Sequence, residues 1–113
     1  MSQNVNALHA MDGVQVGIAG EEFSQVYDVN VYRPLGNFGS QINIQNADTD
    51  AISVELWASI DGVTYAKAST MFSNMEDGDY IRSFGSSVCR KFKIRVANAG
   101  TQIATVSVWI GLQ

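Results

Sequence analysis

Hydrophobic and polar positions alternate with a period of two along most of the chain beyond residue 13, and no stretch carries the 3.6-residue period of an amphipathic helix. Val14, Val16 and Ile18 alternate with Gln15 and Gly17 and predict a short strand, closed by a turn at Ala19-Gly20-Glu21. Phe23 to Tyr32 reads as a longer strand with Tyr27, Val29 and Val31 on one face and Asp28 and Asn30 on the other. Arg33 to Gly39 reads as a loop, because Pro34 cannot donate to a ladder and the glycines permit positive φ. Gln41 to Asn46 and Ile52 to Ser59 follow as strands, with Ile42, Ile44, Ile52, Val54, Leu56 and Ala58 inward. Asp61-Gly62 predicts a tight type I′ hairpin turn with Val63 to Phe72 as the return strand. An acidic loop, Asn74 to Asp79, leads to a short strand from Tyr80 to Phe84 and a loop at Gly85-Ser86-Ser87. Cys89 to Ala97 and residues 103 to 112 complete the set, with Phe92, Ile94, Val96, Val106, Val108, Ile110 and Leu112 inward.

About eight strands, many of them short and separated by turn signals, predict an all-β fold: a two-sheet antiparallel sandwich of jelly-roll type. One stretch occurs twice at an offset of 52 residues: Ile42 matches Ile94, Ile44 matches Val96, Asn46 matches Asn98 and Trp57 matches Trp109. Each copy reads as strand, polar loop and strand, a β hairpin with tryptophan near its end. A jelly roll is built from two similar halves and accommodates such a duplication; chance similarity between two hairpins is the alternative. Residues 1–13, polar and without a period, read as an N-terminal arm held down by its own domain or a neighbour. Residues 14–113 form the single sandwich domain.

The alternation also sorts the polar chemistry. It places Trp57 with Ser53 and Glu55, and Trp109 with Thr105 and Ser107, each opposite the core set. A tryptophan can remove about 150–250 Å² from water, so two outward ones approach the size of an interaction patch. Either a loop or the arm covers them, or another subunit or a sugar ring does. Lys91, Lys93 and Arg95 leave one face of their strand as a basic stripe, with Arg90 at its edge. The stripe is a solvated face or a surface for an acidic partner such as the Glu76, Asp77 and Asp79 loop of another copy. Symmetric pairing about the last loop would put Lys93 beside Trp109 and within cation–π reach.

Composition then narrows the function. At 113 residues the chain is one domain, able to hide roughly two-thirds of its unfolded surface. Only 16% of residues are charged against 46% apolar, a balance suited to a protein packed among neighbours. The net charge of −4 argues against nucleic acid as a main ligand. No run reaches the length of a membrane span, and the first residues lack a signal-peptide pattern, so synthesis in a host cytoplasm is expected. Cys89 is the single cysteine, which leaves no intrachain disulfide. Cys89 and His9 are the one possible thiol–imidazole pair, and they lie in a core strand's approach and in the arm. No catalytic signature, cofactor motif or metal-ligand spacing is present; the aspartates follow turn chemistry rather than a calcium loop. The expectation is therefore a protein without enzyme activity, cofactor or metal.

Ser59-Ile60-Asp61-Gly62-Val63-Thr64-Tyr65, following a strand that ends with Trp57, resembles the hairpin of discoidin-like, galactose-binding β-sandwich modules. The same stretch, with Lys91 to Thr101 and the alternating C-terminal strand, is similar to small β-sandwich structural proteins of tailed bacteriophages. That second resemblance implies a virion component: a capsid decoration or cement protein, or a tail or baseplate subunit. It implies the major capsid protein and further copies of the chain, commonly a trimer, as partners, with no nucleic acid and no membrane. The first implies a glycan partner, with Trp57, Trp109 or Tyr65 as stacking platforms. The residues expected at an interface are Trp57, Trp109, Lys91, Lys93, Arg95, Glu76, Asp77 and Asp79.

Overall fold

A computed structural model describes residues 6–29, 37–85 and 89–112. Its strands are β1 (Asn6–Val16), β2 (Glu21–Phe23), β3 (Tyr27–Asp28), β4 (Phe38–Gln45), β5 (Ile52–Ser59), β6 (Ala66–Met75), β7 (Gly78–Phe84), β8 (Lys91–Asn98) and β9 (Ala104–Leu112). They form two antiparallel sheets. One has the order β1-β9-β4-β7; the other has the order β2-β8-β5-β6, with β3 also paired to β8. We call them the first and second sheets. β2 and β3 lie along successive parts of β8, so they act as one interrupted edge strand and the sandwich has eight strand positions.

The pairing describes a chain folded in half and rolled up. β1 lies on β9, β2 on β8, β4 on β7 and β5 on β6, as in one long hairpin whose tip is the β5–β6 turn. Rolling then brings β4 against β9 and β5 against β8. This is the jelly roll that the strand spacing predicts.

The duplicated stretch supplies those two rolling contacts. β4 and β5 lie in different sheets, as do β8 and β9. Each copy is therefore an arch across the sandwich and not a hairpin. The registers match under the 52-residue offset: Ile42 faces Val108 in the first sheet, and the shifted pair, Ile94 and Leu56, face each other in the second. The repeat is thus an internal pseudo-twofold relating one sheet to the other. The expected neighbour of Lys93 changes accordingly. Lys93 faces Trp57 on β5, and Trp109 faces Gln41 on β4, because β8 and β9 never pair.

Alternation fills the core. Ile42, Ile44, Val106, Val108 and Ile110 point inward from the first sheet, and Ile52, Val54, Leu56, Phe92, Ile94 and Val96 from the second, all essentially without exposure. Fully burying a side chain of this kind contributes about 1.5–3 kcal/mol. Register shifts in the β5–β6 ladder let consecutive Met71 and Phe72 both face the core. Arg82 spans the open edge, its Nη1 donating to the Met71 carbonyl at 2.9 Å and its guanidinium lying over the Phe72 and Phe84 rings.

Local differences from the sequence reading have local causes. Within the stretch read as an arm, residues 6–13 are strand, held along β9 from the Asn6–Leu112 pair onward. Register shifts between His9 and Met11 and between Met11 and Val14, with Gly13 at φ +58°, break the alternation there and hide the strand from a periodicity argument. The predicted strand from Phe23 to Tyr32 is interrupted by Ser24-Gln25-Val26; its residues 30–32 lie outside the described residues, as do 33–36 of the predicted loop. The Asp61-Gly62 turn is not type I′, since only Gly62 has positive φ. It is held by the Asp61 carboxylate, which accepts from the Val63 and Thr64 amides and from the Ser59 hydroxyl, each at 2.8 Å.

The two arches also meet at their crests. The Asp48 carboxylate accepts from the Thr101 amide and hydroxyl and from the Gln102 side-chain amide, and the Ala99 amide donates to Ala51 O. Position 100, the repeat counterpart of Asp48, is glycine, and a Cβ there would stand 2.7 Å from Asp48 Oδ2 and 3.1 Å from Ala51 Cβ. Gly100→Ala is expected to destabilise the fold by about 1–3 kcal/mol, as other overpacked sites do. The Asp48→Ala, Gly100→Ala double variant should lose less than the sum of the singles, which urea denaturation of all four proteins would measure.

Candidate functional site

The outer faces of the two sheets carry most of the residues that the sequence singled out, and the pseudo-twofold allows a position-by-position comparison. Lys91, Lys93 and Arg95 on the second sheet correspond to Gly39, Gln41 and Asn43 on the first; Trp57, Glu55 and Ser59 correspond to Trp109, Ser107 and Gly111.

The second sheet's face is filled and electrostatically closed. Arg95 donates from Nε to Glu21 and from Nη1 to Glu55 Oε1 at 2.8 Å. Glu55 also accepts the Trp57 indole N–H at 2.9 Å and lies 3.7 Å from Lys67 Nζ. Burial disfavours the Glu55 carboxylate, yet the Trp57 and Arg95 hydrogen bonds and the charges of Arg95 and Lys67 outweigh it and hold the carboxyl below its usual range. Lys93 Nζ sits over the rings of Phe23 at 4.3 Å and Tyr65 at 4.7 Å, and Phe23 meets Trp57 edge-on at 5.8 Å. Lys91 is 3.7 Å from Asp28. The basic stripe therefore exists as predicted, and its cations have partners within the chain.

The acidic loop is likewise engaged. Asp77 accepts from the Asn46 and Ala47 amides, tying the β6–β7 turn to the first arch. Asp79 accepts from the Asn43 side-chain amide at 2.8 Å, and the Glu76 carbonyl accepts the Tyr80 hydroxyl. The loop proper is only Glu76-Asp77, because β6 runs to Met75 and β7 starts at Gly78.

Among the described residues, the first sheet's face is open. Ala7, Gly111, Gly39 and Ser83 lie side by side across β1, β9, β4 and β7. The next row is His9, Trp109, Gln41 and Ile81. The small residues form the floor of a trough of about 850 Å³, with Trp109, Gln41 and Ile81 rising beside it. His9 stacks on Trp109 with ring centroids 4.4 Å apart and planes within 8°. His9 does not line the trough, so it backs the indole from the far side. Ile81 is 76% exposed. Trp57 and Trp109 thus both point outward, as alternation requires, but each is half-covered by an aromatic partner that alternation alone did not reveal. Tyr65, expected as a stacking platform, reaches the second sheet's face from the β5–β6 connection and meets Lys93, whereas Phe23 carries no such signal in the sequence because a broken edge strand brings it there.

Cys89 is buried in the core, which pushes its thiol pKa up, while His9 lies on the outer face, so the structure does not join them into a pair. Among the described residues, no group of three or more His, Cys, Asp or Glu side chains is placed to hold a metal ion.

No protein-family profile matches the chain, and no curated protein gives a significant sequence match. Solved structures share its fold. PirA superposes with a TM-score of 0.61 at 10% identity, over 97% of this chain and 95% of that one. The PBSX exported protein XepA gives 0.68 at 8% identity, over 95% of this chain and 36% of that one. The VP2 subviral particle of infectious bursal disease virus gives 0.54 at 11% identity, over 97% of this chain and 32% of that one. The chain spans about a third of the XepA and VP2 chains. At these identities the likeness establishes the β-sandwich fold alone.

Two outcomes follow from the polar geometry. Arg95→Ala strips a partly buried Glu55 of its main partner and should lower stability by about 1.5–3 kcal/mol, read as a shift of the urea midpoint at constant slope. The Asp61 carboxyl is pulled down to about 2, chiefly by the Thr64 and Val63 amides and the Ser59 hydroxyl, from an ordinary 3.8. Its folded pKa lies below its unfolded one, so its contribution to stability is present above pH ~4 and lost as pH falls through ~2. The difference in Tm between the native protein and Asp61→Ala should hold from neutral pH to about 4 and close towards pH 2.

Proposed function

We propose that the protein is a structural virion component, a capsid decoration protein that stabilises a phage head by burying surface against the major capsid protein and further copies of itself. The observation that carries this reading is where the surface is apolar. Ile60 and Val63, 74% and 81% exposed, flank the rigid turn at one end of the sandwich. Ile18 and Ile103 are exposed at the other end, on the connections that follow β1 and precede β9. Between them, the cations of the second sheet's face are paired within the chain, so that face offers little free charge to an acidic partner. A small domain with apolar residues at both ends is suited to close packing between neighbours. The likeness in fold to the VP2 particle and to XepA is consistent with such a role.

In this reading the hairpin tip makes the first contact. The Asp61 hydrogen bonds fix the turn before binding, so presenting Ile60 and Val63 requires little further ordering. Trp57 and Trp109 stiffen the two faces, and trimeric assembly would place copies side by side. The test is sedimentation of particles from a producing lysate. The protein should travel with the virions at a copy number comparable to the major capsid protein. Ile60→Asp with Val63→Asp should reduce occupancy while leaving the fold intact. Absence from purified particles would sink the reading, and a copy number matching only the tail would move the protein to the tail or baseplate.

A further inference from the structure

The geometry points to a binding site for an uncharged sugar ring in the trough on the outer face of the first sheet. Three features combine there. The floor, Ala7, Gly111, Gly39 and Ser83, is made of the smallest side chains available, aligned across all four strands. One wall is the indole of Trp109, already held flat by His9 at 4.4 Å and 8°. Beside the exposed, apolar Ile81, the lining offers neutral hydrogen-bonding side chains: Gln41, Ser83 and Asn37, all exposed. Among the described residues the one charged lining residue is Arg82, whose guanidinium is turned to the Met71 carbonyl and the Phe72 and Phe84 rings.

Each feature matches a pyranose. A sugar ring has apolar C–H faces and a rim of hydroxyls that both donate and accept. The C–H face would lie on the free side of Trp109, and the hydroxyls would meet the amides of Gln41 and Asn37 and the hydroxyl of Ser83. Backing by His9 fixes the indole in advance, so less order is lost on binding. The trough's volume, about 850 Å³, falls within the ~300–1,000 Å³ of small-ligand sites. The described lining carries no free charge, which favours neutral glycans over sialylated or sulfated ones. A flat protein surface would leave the recessed floor empty.

The second sheet supplies an internal comparison. At the positions matching Gly39, Gln41 and Gly111 it has Lys91, Lys93 and Ser59, and there the face is occupied by long side chains and an ion-pair network. Among the described residues, one half of the duplicated framework is closed over and the other is left hollow. The trough's chemistry is also independent of where the protein resides.

The full chain, tetramerised for avidity, would be applied to an array carrying both neutral and anionic glycans. The best neutral oligosaccharide would then be titrated into ¹⁵N-labelled monomer. The expected result is binding to neutral glycans, with shifts at the Trp109 indole N–H, the Gln41 side-chain amide, Gly39 and Gly111, and none at the Trp57 indole. Trp109→Ala should weaken binding about ten-fold or more. Ser83→Trp, a change at an exposed position that fills the trough, should do the same with an unchanged core spectrum, and Trp57→Ala should have no effect on affinity. No binding to any neutral glycan, a preference for anionic glycans, or binding that survives Ser83→Trp overturns the assignment.

Discussion

Two ladders hold this molecule together: β4 against β9 and β5 against β8. Everything else in the jelly roll is a hairpin pairing that a simple folded-over chain could make. These two ladders close the roll, and they have the same register because the same strand–loop–strand unit supplies both. The inward positions of that unit are mostly isoleucine and valine in both copies, with Leu56 in the first and Phe92 and Ala104 in the second, so the core is built from two similar half-layers. Asp48 and the Gly100-Thr101-Gln102 crest lock the arches at one end, where Asn46, Ala47 and Thr49 recur as Asn98, Ala99 and Thr101 and the copies differ only at 48/100 and 50/102. An aspartate in one copy fits only because its counterpart in the other has no side chain.

The same duplication explains how one framework carries two different surfaces. Inward positions are constrained by packing and remain alike. Outward positions are free to diverge, and they have. Lys91, Lys93 and Arg95 recruit Asp28, Phe23, Tyr65, Glu21 and Glu55 and seal one face. Among the described residues, Gly39 and Gln41 line an open trough, and Asn43 donates to Asp79. Trp57 and Trp109 are the points where the two faces still correspond, and even these differ: one indole donates to a carboxylate, the other is stacked on an imidazole.

Much of this is legible in the sequence, for a physical reason. Alternation reports which side of a strand is dry, so the inward sets of β4, β5, β8 and β9 and the outward direction of Trp57, Trp109 and the basic stripe can all be read directly. Alternation does not report which strands are neighbours. The repeat looks like two hairpins because a polar loop between two strands is common to hairpins and arches; only the pairing partners, distant in the chain, distinguish them. That is why Lys93 is expected beside Trp109 and is found beside Trp57. β1 was hidden for a different reason: its register shifts change which residues face inward part-way along, and no single period survives. The trough was invisible because Ala7, Gly39, Ser83 and Gly111 come from four separate strands and become a row only in the folded sheet.

The position of β9 within its sheet has a consequence for how the protein is made. β9 follows every other strand in the chain, yet it lies between β1 and β4. During synthesis β1 through β8 emerge while the centre of the first sheet is still missing. β1 and β4 then each present an unpaired edge to the surrounding medium, and the inward face of the second sheet lacks part of its cover. The local β5–β6 hairpin can form early, but the sandwich closes only once Ala104 to Leu112 have left the ribosome. A pause or truncation before β9 has emerged therefore exposes two sticky edges at once, and the domain is most vulnerable to aggregation until that strand is in place.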